Sequence, residues 1–118
     1  MKLRIRGNTL RYRLTQGEVA ALAEGRAVAE EVNFGNGLFT YEILPEDGAS
    51  GLDARASAWR ISVVVPGATA RQWNASDDVG LSAETSSGIK LLVEKDFACL
   101  KPRAGEDDAD AFPNPGTC

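Results

Sequence analysis

Residues 2 to 14 alternate charged and apolar side chains around Gly7-Asn8, and a period of two belongs to a strand with one apolar face, not to a helix. Gly and Asn tolerate the positive φ of a two-residue primed turn, so the dipeptide predicts a tight β-hairpin. Such a turn sets the register: Arg6 faces Thr9, Ile5 faces Leu10, Arg4 faces Arg11, Leu3 faces Tyr12 and Lys2 faces Arg13. Opposed residues of an antiparallel pair point to the same side. Leu3, Ile5, Leu10 and Tyr12 therefore form an apolar face, and Lys2, Arg4, Arg6, Arg11 and Arg13 gather on its reverse. Like charges directly opposite one another are unfavourable, which makes that reverse face receptive to anions.

The chain beyond the hairpin carries a helix signal. Thr15 with Glu18 makes a capping box, and Leu14 with Val19 a hydrophobic staple. Gly25 supplies the left-handed residue that ends a short helix over about residues 16 to 24. A second hairpin is centred on Asn36-Gly37, with Phe34 opposite Phe39, Val32 opposite Tyr41, and Glu31 opposite Glu42 on a polar face. Two further strands follow over 52–57 and 59–65, the second rich in β-branched residues. Pro66 occupies the first turn of a helix that runs to about Asn74, with Ala70 and Trp73 on its inner side. A last hairpin, 79–84 with 89–95, turns at Ser86-Ser87-Gly88.

Strand, strand, helix, strand, strand thus occurs twice at a spacing of about 50 residues, with Arg11–Val32 aligned on Arg60–Leu81. The expected fold is α+β: about eight mostly antiparallel strands in hairpins and two short helices, with a pseudo-two-fold repeat and a barrel-like closure that would remove free edges. The 118 residues, 43% hydrophobic and 25% charged, suit one domain with a core of its own. We place that domain at 1–100 and an acidic, Pro/Gly-rich tail at 101–118, with Phe112 as the tail's one large apolar side chain.

Composition excludes more than it assigns. The chain has no histidine, which removes His-based triads, His metal ligands and the usual general base near neutral pH. Cys99 and Cys118 have neither zinc nor redox spacing, and Cys99 between Phe97 and Leu100 suits a small buried hydrophobe. No metal or cofactor is called for. The net charge of −4 argues against nucleic acid as a partner. The apolar run 61–70 is about half the length that spans a bilayer, and residues 1 to 6 lack a secretory apolar stretch, so a cytoplasmic protein with no membrane partner is expected.

The cationic set Lys2, Arg4, Arg6, Arg11 and Arg13 is the foremost candidate site, because guanidinium forks match phosphate and carboxylate oxygens. Its competing reading is a solvated sheet face. Glu31 beside Glu42 could hold a divalent cation or share a proton. Glu106, Asp107, Asp108 and Asp110 lack the Gly and terminal Glu of an EF-hand and read as a solvating tail, one that could fold onto the cationic hairpin and mask it. Glu94-Lys95-Asp96 reads as charge at a strand end meeting water. Trp59, Trp73, Phe34, Phe39 and Tyr41 read as core and turn packing, not a platform for bases.

The opening Met1–Thr15 and the closing Leu91–Leu100 with Phe112-Pro113-Asn114-Pro115 resemble a family of short, uncharacterised bacterial proteins over the whole chain. That resemblance carries no activity and implies no catalytic residue. In its order of elements the chain is also similar to the triphosphate tunnel (CYTH-like) proteins, whose eight-stranded barrel holds cations and carboxylates inside. Their first strand shows Glu-x-Glu-x-Lys, where Lys2-Leu3-Arg4-Ile5-Arg6 stands here, without metal-holding carboxylates.

The function expected from the sequence is a noncatalytic module that binds a phosphorylated small molecule or an acidic protein surface through its first hairpin. Two other classes are an assembly protein that pairs along a sheet edge and a metal-assisted tunnel-type phosphohydrolase. Oligomeric state and the identity of any ligand are left open.

Overall fold

The computed structural model describes residues 1–97 and 110–112. Its strands are β1 (Lys2–Arg6), β2 (Thr9–Leu14), β3 (Val28–Asn33), β4 (Leu38–Glu46), β5 (Asp53–Ser57), β6 (Arg60–Pro66), β7 (Gly80–Glu84) and β8 (Lys90–Lys95); its helices are α1 (Gln16–Ala23) and α2 (Gly67–Asn74). The strands form two four-stranded sheets, ordered β1-β2-β8-β7 and β3-β4-β6-β5. The class is α+β, as the sequence predicts.

The local signals at α1 act as expected. Thr15 Oγ1 accepts from Glu18 N at 3.3 Å while Thr15 N donates to Glu18 Oε1 at 2.9 Å, and Leu14 and Val19 are both buried. Gly25, at φ +82°, donates to Leu22 O, and Arg26 N reaches back to Ala21 O. This 6→1, 5→2 pattern closes the helix with a glycine where a Cβ would be strained. At α2 the signal acts one step earlier: Pro66 ends β6 and is the N-cap at ψ 137°, not a residue of the first turn. An extended ψ lets the ring complete the strand and still set the entry to the helix.

The repeat exists in the topology. β1–β2, α1, β3–β4 is followed by β5–β6, α2, β7–β8. The units exchange partners, since β2 runs parallel to β8 and β6 runs parallel to β4. Arg6–Thr9 closes the first hairpin as Ser57–Arg60 closes the third. Thr9, not Arg11, is therefore the counterpart of Arg60, and the sequence alignment of the halves is two residues out. Hairpin patterns repeat every second residue, so alternation alone tolerates that slip.

The barrel expectation is corrected. The strand ladder breaks into two sheets, leaving β1 and β7 at the edges of one and β3 and β5 at the edges of the other. Four pairs are antiparallel and two, at the sheet centres, are parallel. The inner faces enclose one core: Leu10, Tyr12, Leu14, Leu91 and Val93 from the first sheet, Ile43, Val63 and Val65 from the second, and Val19, Leu22, Ala70 and Trp73 from the paired helices. Each such large side chain contributes roughly 1.5–3 kcal/mol by leaving water.

The second hairpin departs from its expected register by two residues. Asn33 opposes Leu38, Val32 opposes Phe39, Glu31 opposes Thr40 and Ala29 opposes Glu42. The connection is a four-residue loop, in which Gly35 takes φ +84° and donates to Asn33 Oδ1 at 2.8 Å. An Asn side chain that mimics a backbone turn competes here with the Asn-Gly dipeptide and wins. Because the shift is even, each residue keeps its face.

Ala111 and Phe112 lie against the domain beside α1. Phe112 N donates to Asp96 O at 2.7 Å, and its ring lies 5.7 Å from that of Phe97. Cys99, Cys118, Glu106, Asp107 and Asp108 fall outside the described residues.

Candidate functional site

The first hairpin has the register its turn dictates, Lys2↔Arg13 through Arg6↔Thr9, with Gly7 at φ +53°. Tyr12 and Leu10 point into the core, so the five cations lie on the outer face of the β1-β2-β8-β7 sheet. Across that sheet they fall in rows: Lys2, Arg13, Glu94, Gly80; then Arg4, Arg11, Leu92, Ser82; then Arg6, Thr9, Lys90, Glu84.

Arg4, Arg6, Arg11 and Thr9 line one open depression of about 200 Å³. Lys2 and Arg13 lie one row away and do not line it. Lys2 Nζ instead lies 3.2 Å from Asp96 Oδ2, a buried carboxylate. Arg11 Nε lies 3.3 Å from Glu94 Oε1, yet among the described residues this buried N–H makes no hydrogen bond. Among the described residues, Arg4, Arg6 and Arg13 have no carboxylate within ion-pairing distance. Of the five cations, then, the structure brings three around one hollow and neutralises one elsewhere.

Sequence reasoning missed Lys90, which stands beside Thr9 on the same face. It comes from a strand far along the chain through a parallel pairing, which leaves no short-range turn signal. Glu94 was noticed, but as charge meeting water. Glu94 is half-buried and turned to Arg11, and Lys95 and Asp96 are buried. Lys95 Nζ donates to Ser76 O at 2.7 Å and lies 5.4 Å and 5.9 Å from the centres of the Phe112 and Trp73 rings. A buried ammonium needs such partners, and this arrangement makes Lys95 a structural clasp.

The other candidates come apart. Glu31 is exposed opposite Thr40. Glu42 is buried, accepting from Ser62 Oγ at 2.6 Å and Arg60 Nη1 at 2.7 Å. The Ser62 hydrogen bond, with help from Arg60 and against the cost of burial, holds its carboxyl below the usual range. The carboxylate pair is thus lost to a two-residue register change. Asp110 is engaged at the start of α1, where its Oδ2 accepts from Gly17 N at 3.2 Å. No group of three or more Cys, Asp or Glu among the described residues could hold a metal. Trp73 is core as expected, whereas Phe34 and Trp59 are exposed and pack on one another at the tips of two hairpins, 6.1 Å apart.

Two repeated ββαββ units that exchange strands, with a row of cations on the outer face of one sheet, define a small α+β domain. The chain belongs to a family of unknown function, DUF7009, whose model matches residues 1–116. No curated protein and no solved structure matches it.

Proposed function

We propose that the protein is a noncatalytic module that binds a small phosphorylated anion on the outer face of the β1-β2-β8-β7 sheet. Arg4, Arg6 and Arg11 are the direct donors, and Lys2 and Arg13 are flanking charges. One observation carries this reading: three arginines, Arg4, Arg6 and Arg11, line a single depression of about 200 Å³ together with Thr9. Arg4 and Arg11 are directly opposed, and such like-charge pairs are unfavourable until an anion lies between them. Planar forks donate two parallel hydrogen bonds to a phosphate, which favours that group over a point-charge contact. The hollow falls below the roughly 300–1,000 Å³ of sites for drug-sized ligands, so it suits a phosphate or pyrophosphate group and not a large planar one.

The test is thermal unfolding of the full chain against inorganic pyrophosphate. At saturating ligand the melting temperature rises by several degrees, because ligand bound to the native state alone stabilises it. Arg4→Ala and Arg11→Ala each reduce that rise. No rise in the unmodified protein, or an equal rise in both variants, overturns the reading.

A further inference from the structure

The repeat puts the cationic hollow of the first sheet and a buried ion pair of the second at equivalent positions. Thr9 corresponds to Arg60 through the hairpin closures, and the strand registers carry the correspondence across both sheets: Arg4 to Arg55, Arg6 to Ser57, Arg11 to Ser62, Lys90 to Thr40 and Leu92 to Glu42. Every pair but the last carries a hydrogen-bond donor in both sheets. The last is apolar in the first sheet and a carboxylate in the second.

Glu42 shows what the donors of the second sheet hold. It lies on the outer face yet is only 9% exposed, and its carboxylate accepts from Ser62 Oγ at 2.6 Å and from Arg60 Nη1 at 2.7 Å. The places of Ser62 and Arg60 are taken in the first sheet by Arg11 and Thr9, and both of these line the hollow. Leu92, standing where Glu42 stands, brings no acceptor to them. Glu94 reaches Arg11 from the next row and not from the Leu92 position. Arg11 keeps a buried Nε–H that makes no hydrogen bond among the described residues, and a buried donor of this kind calls for a partner.

We propose that the two sheets carry one duplicated oxyanion cradle, filled in the second sheet by Glu42 and open to an external anion in the first. This rests on the reading above and deepens it: one oxyanion group of the ligand sits over Leu92, between Arg11 and Thr9, in the place that the Glu42 carboxylate takes in the other sheet. A cradle that a single carboxylate fills takes one terminal phosphoryl group and not a run of phosphates laid along the strands.

Calorimetric titration with inorganic pyrophosphate tests this in variants of each sheet. Leu92→Glu gives the first sheet the carboxylate of the second, and a tethered competitor acts at high effective concentration, so binding weakens by about tenfold or more. Ser82→Glu adds the same charge in the same row on the neighbouring strand, about 5 Å further out, and weakens binding less. Glu42→Leu opens the second cradle, and pyrophosphate then shifts the backbone amide resonances of Arg60 and Ser62, which it leaves in place in the parent. A cooperative melting transition shows that each variant folds; if Glu42→Leu does not, the comparison of Leu92→Glu with Ser82→Glu decides alone. Equal weakening in those two assigns the effect to charge alone and overturns the seat, as does unchanged binding in Leu92→Glu. A folded Glu42→Leu protein whose Arg60 and Ser62 resonances ignore pyrophosphate overturns the duplication. Binding absent from the parent and present at Arg60 and Ser62 in Glu42→Leu sinks the first-sheet reading while upholding the cradle, so the two failures are told apart.

Discussion

Arg11 Nε and Glu94 Oε1 lie 3.3 Å apart across the parallel β2–β8 pair, one step off the direct partner, since Arg11 is opposed by Leu92 and Glu94 by Arg13. The diagonal draws Glu94 toward the hollow that Arg4, Arg6 and Arg11 line, so the protein's own carboxylate competes there with any bound anion. Glu94→Gln removes the charge and keeps the shape. The expected outcome is tighter pyrophosphate binding, by about fivefold at most, because a partly exposed ion pair is worth roughly 0.2–1 kcal/mol. Calorimetric titration of the two proteins checks it; weaker binding in the variant would mean that Glu94 orients Arg11 instead of screening it.

Glu94 has room for that diagonal because its neighbour on the other side is Gly80. A Cβ placed on Gly80 would sit 2.8 Å from Val93 O and 2.9 Å from Glu94 Cγ. The backbone oxygen cannot swing away, so Gly80→Ala must move β7 off β8 or twist both. A loss of about 1–3 kcal/mol follows, the range of overpacked sites, read as a lower urea midpoint at unchanged slope. Gly48→Ala, with open space around its Cβ, is the control and changes little.

How much of this was legible beforehand divides along sequence distance. The first hairpin, its register and the common direction of Lys2, Arg4, Arg6, Arg11 and Arg13 followed from alternation plus Gly7-Asn8, because a two-residue turn leaves no freedom. The capping box of Thr15 and Glu18 and the closing Gly25 are equally local. The second hairpin misled because Asn33 and Gly35 build a longer loop, and that choice separated Glu31 from Glu42. The parallel β2–β8 pairing, which brings Lys90 and Glu94 beside the arginines, joins strands from opposite ends of the chain and has no turn to announce it.

Tyr12 presents a polar group that the core does not satisfy. Its side chain is fully buried and among the described residues its hydroxyl has no hydrogen-bond partner, and burial pushes its pKa up to about 12. An unsatisfied buried hydroxyl costs about 1–3 kcal/mol, whereas an apolar group of the same shape does not. Tyr12→Phe is therefore expected to leave stability unchanged or raise it by about 1 kcal/mol, measured by urea unfolding. Tyr12→Ala, which empties the ring's volume, is expected to lose about 3–5 kcal/mol. A Phe variant less stable than the parent would reveal a partner for the hydroxyl, such as an enclosed water.

The acid side of the stability profile is expected to depend on Glu42. Its carboxylate accepts from Ser62 Oγ and Arg60 Nη1, and the Ser62 hydrogen bond, before Arg60 and against burial, lowers its pKa from the ordinary 4.5. A carboxyl more acidic when folded than when unfolded stabilises the protein at pH above the unfolded value, and that stability fades as pH falls through the folded one. Urea unfolding between about pH 3 and about pH 7 reads this directly, since the native state must take up a proton that the unfolded chain binds sooner. Ser62→Ala removes the largest cause, so the variant is less stable near neutrality and its acid slope is shallower. Glu42→Gln abolishes this group's part of the slope altogether while keeping a side chain that can still meet Ser62. An acid slope identical in parent and Glu42→Gln would assign the pH dependence to other carboxylates.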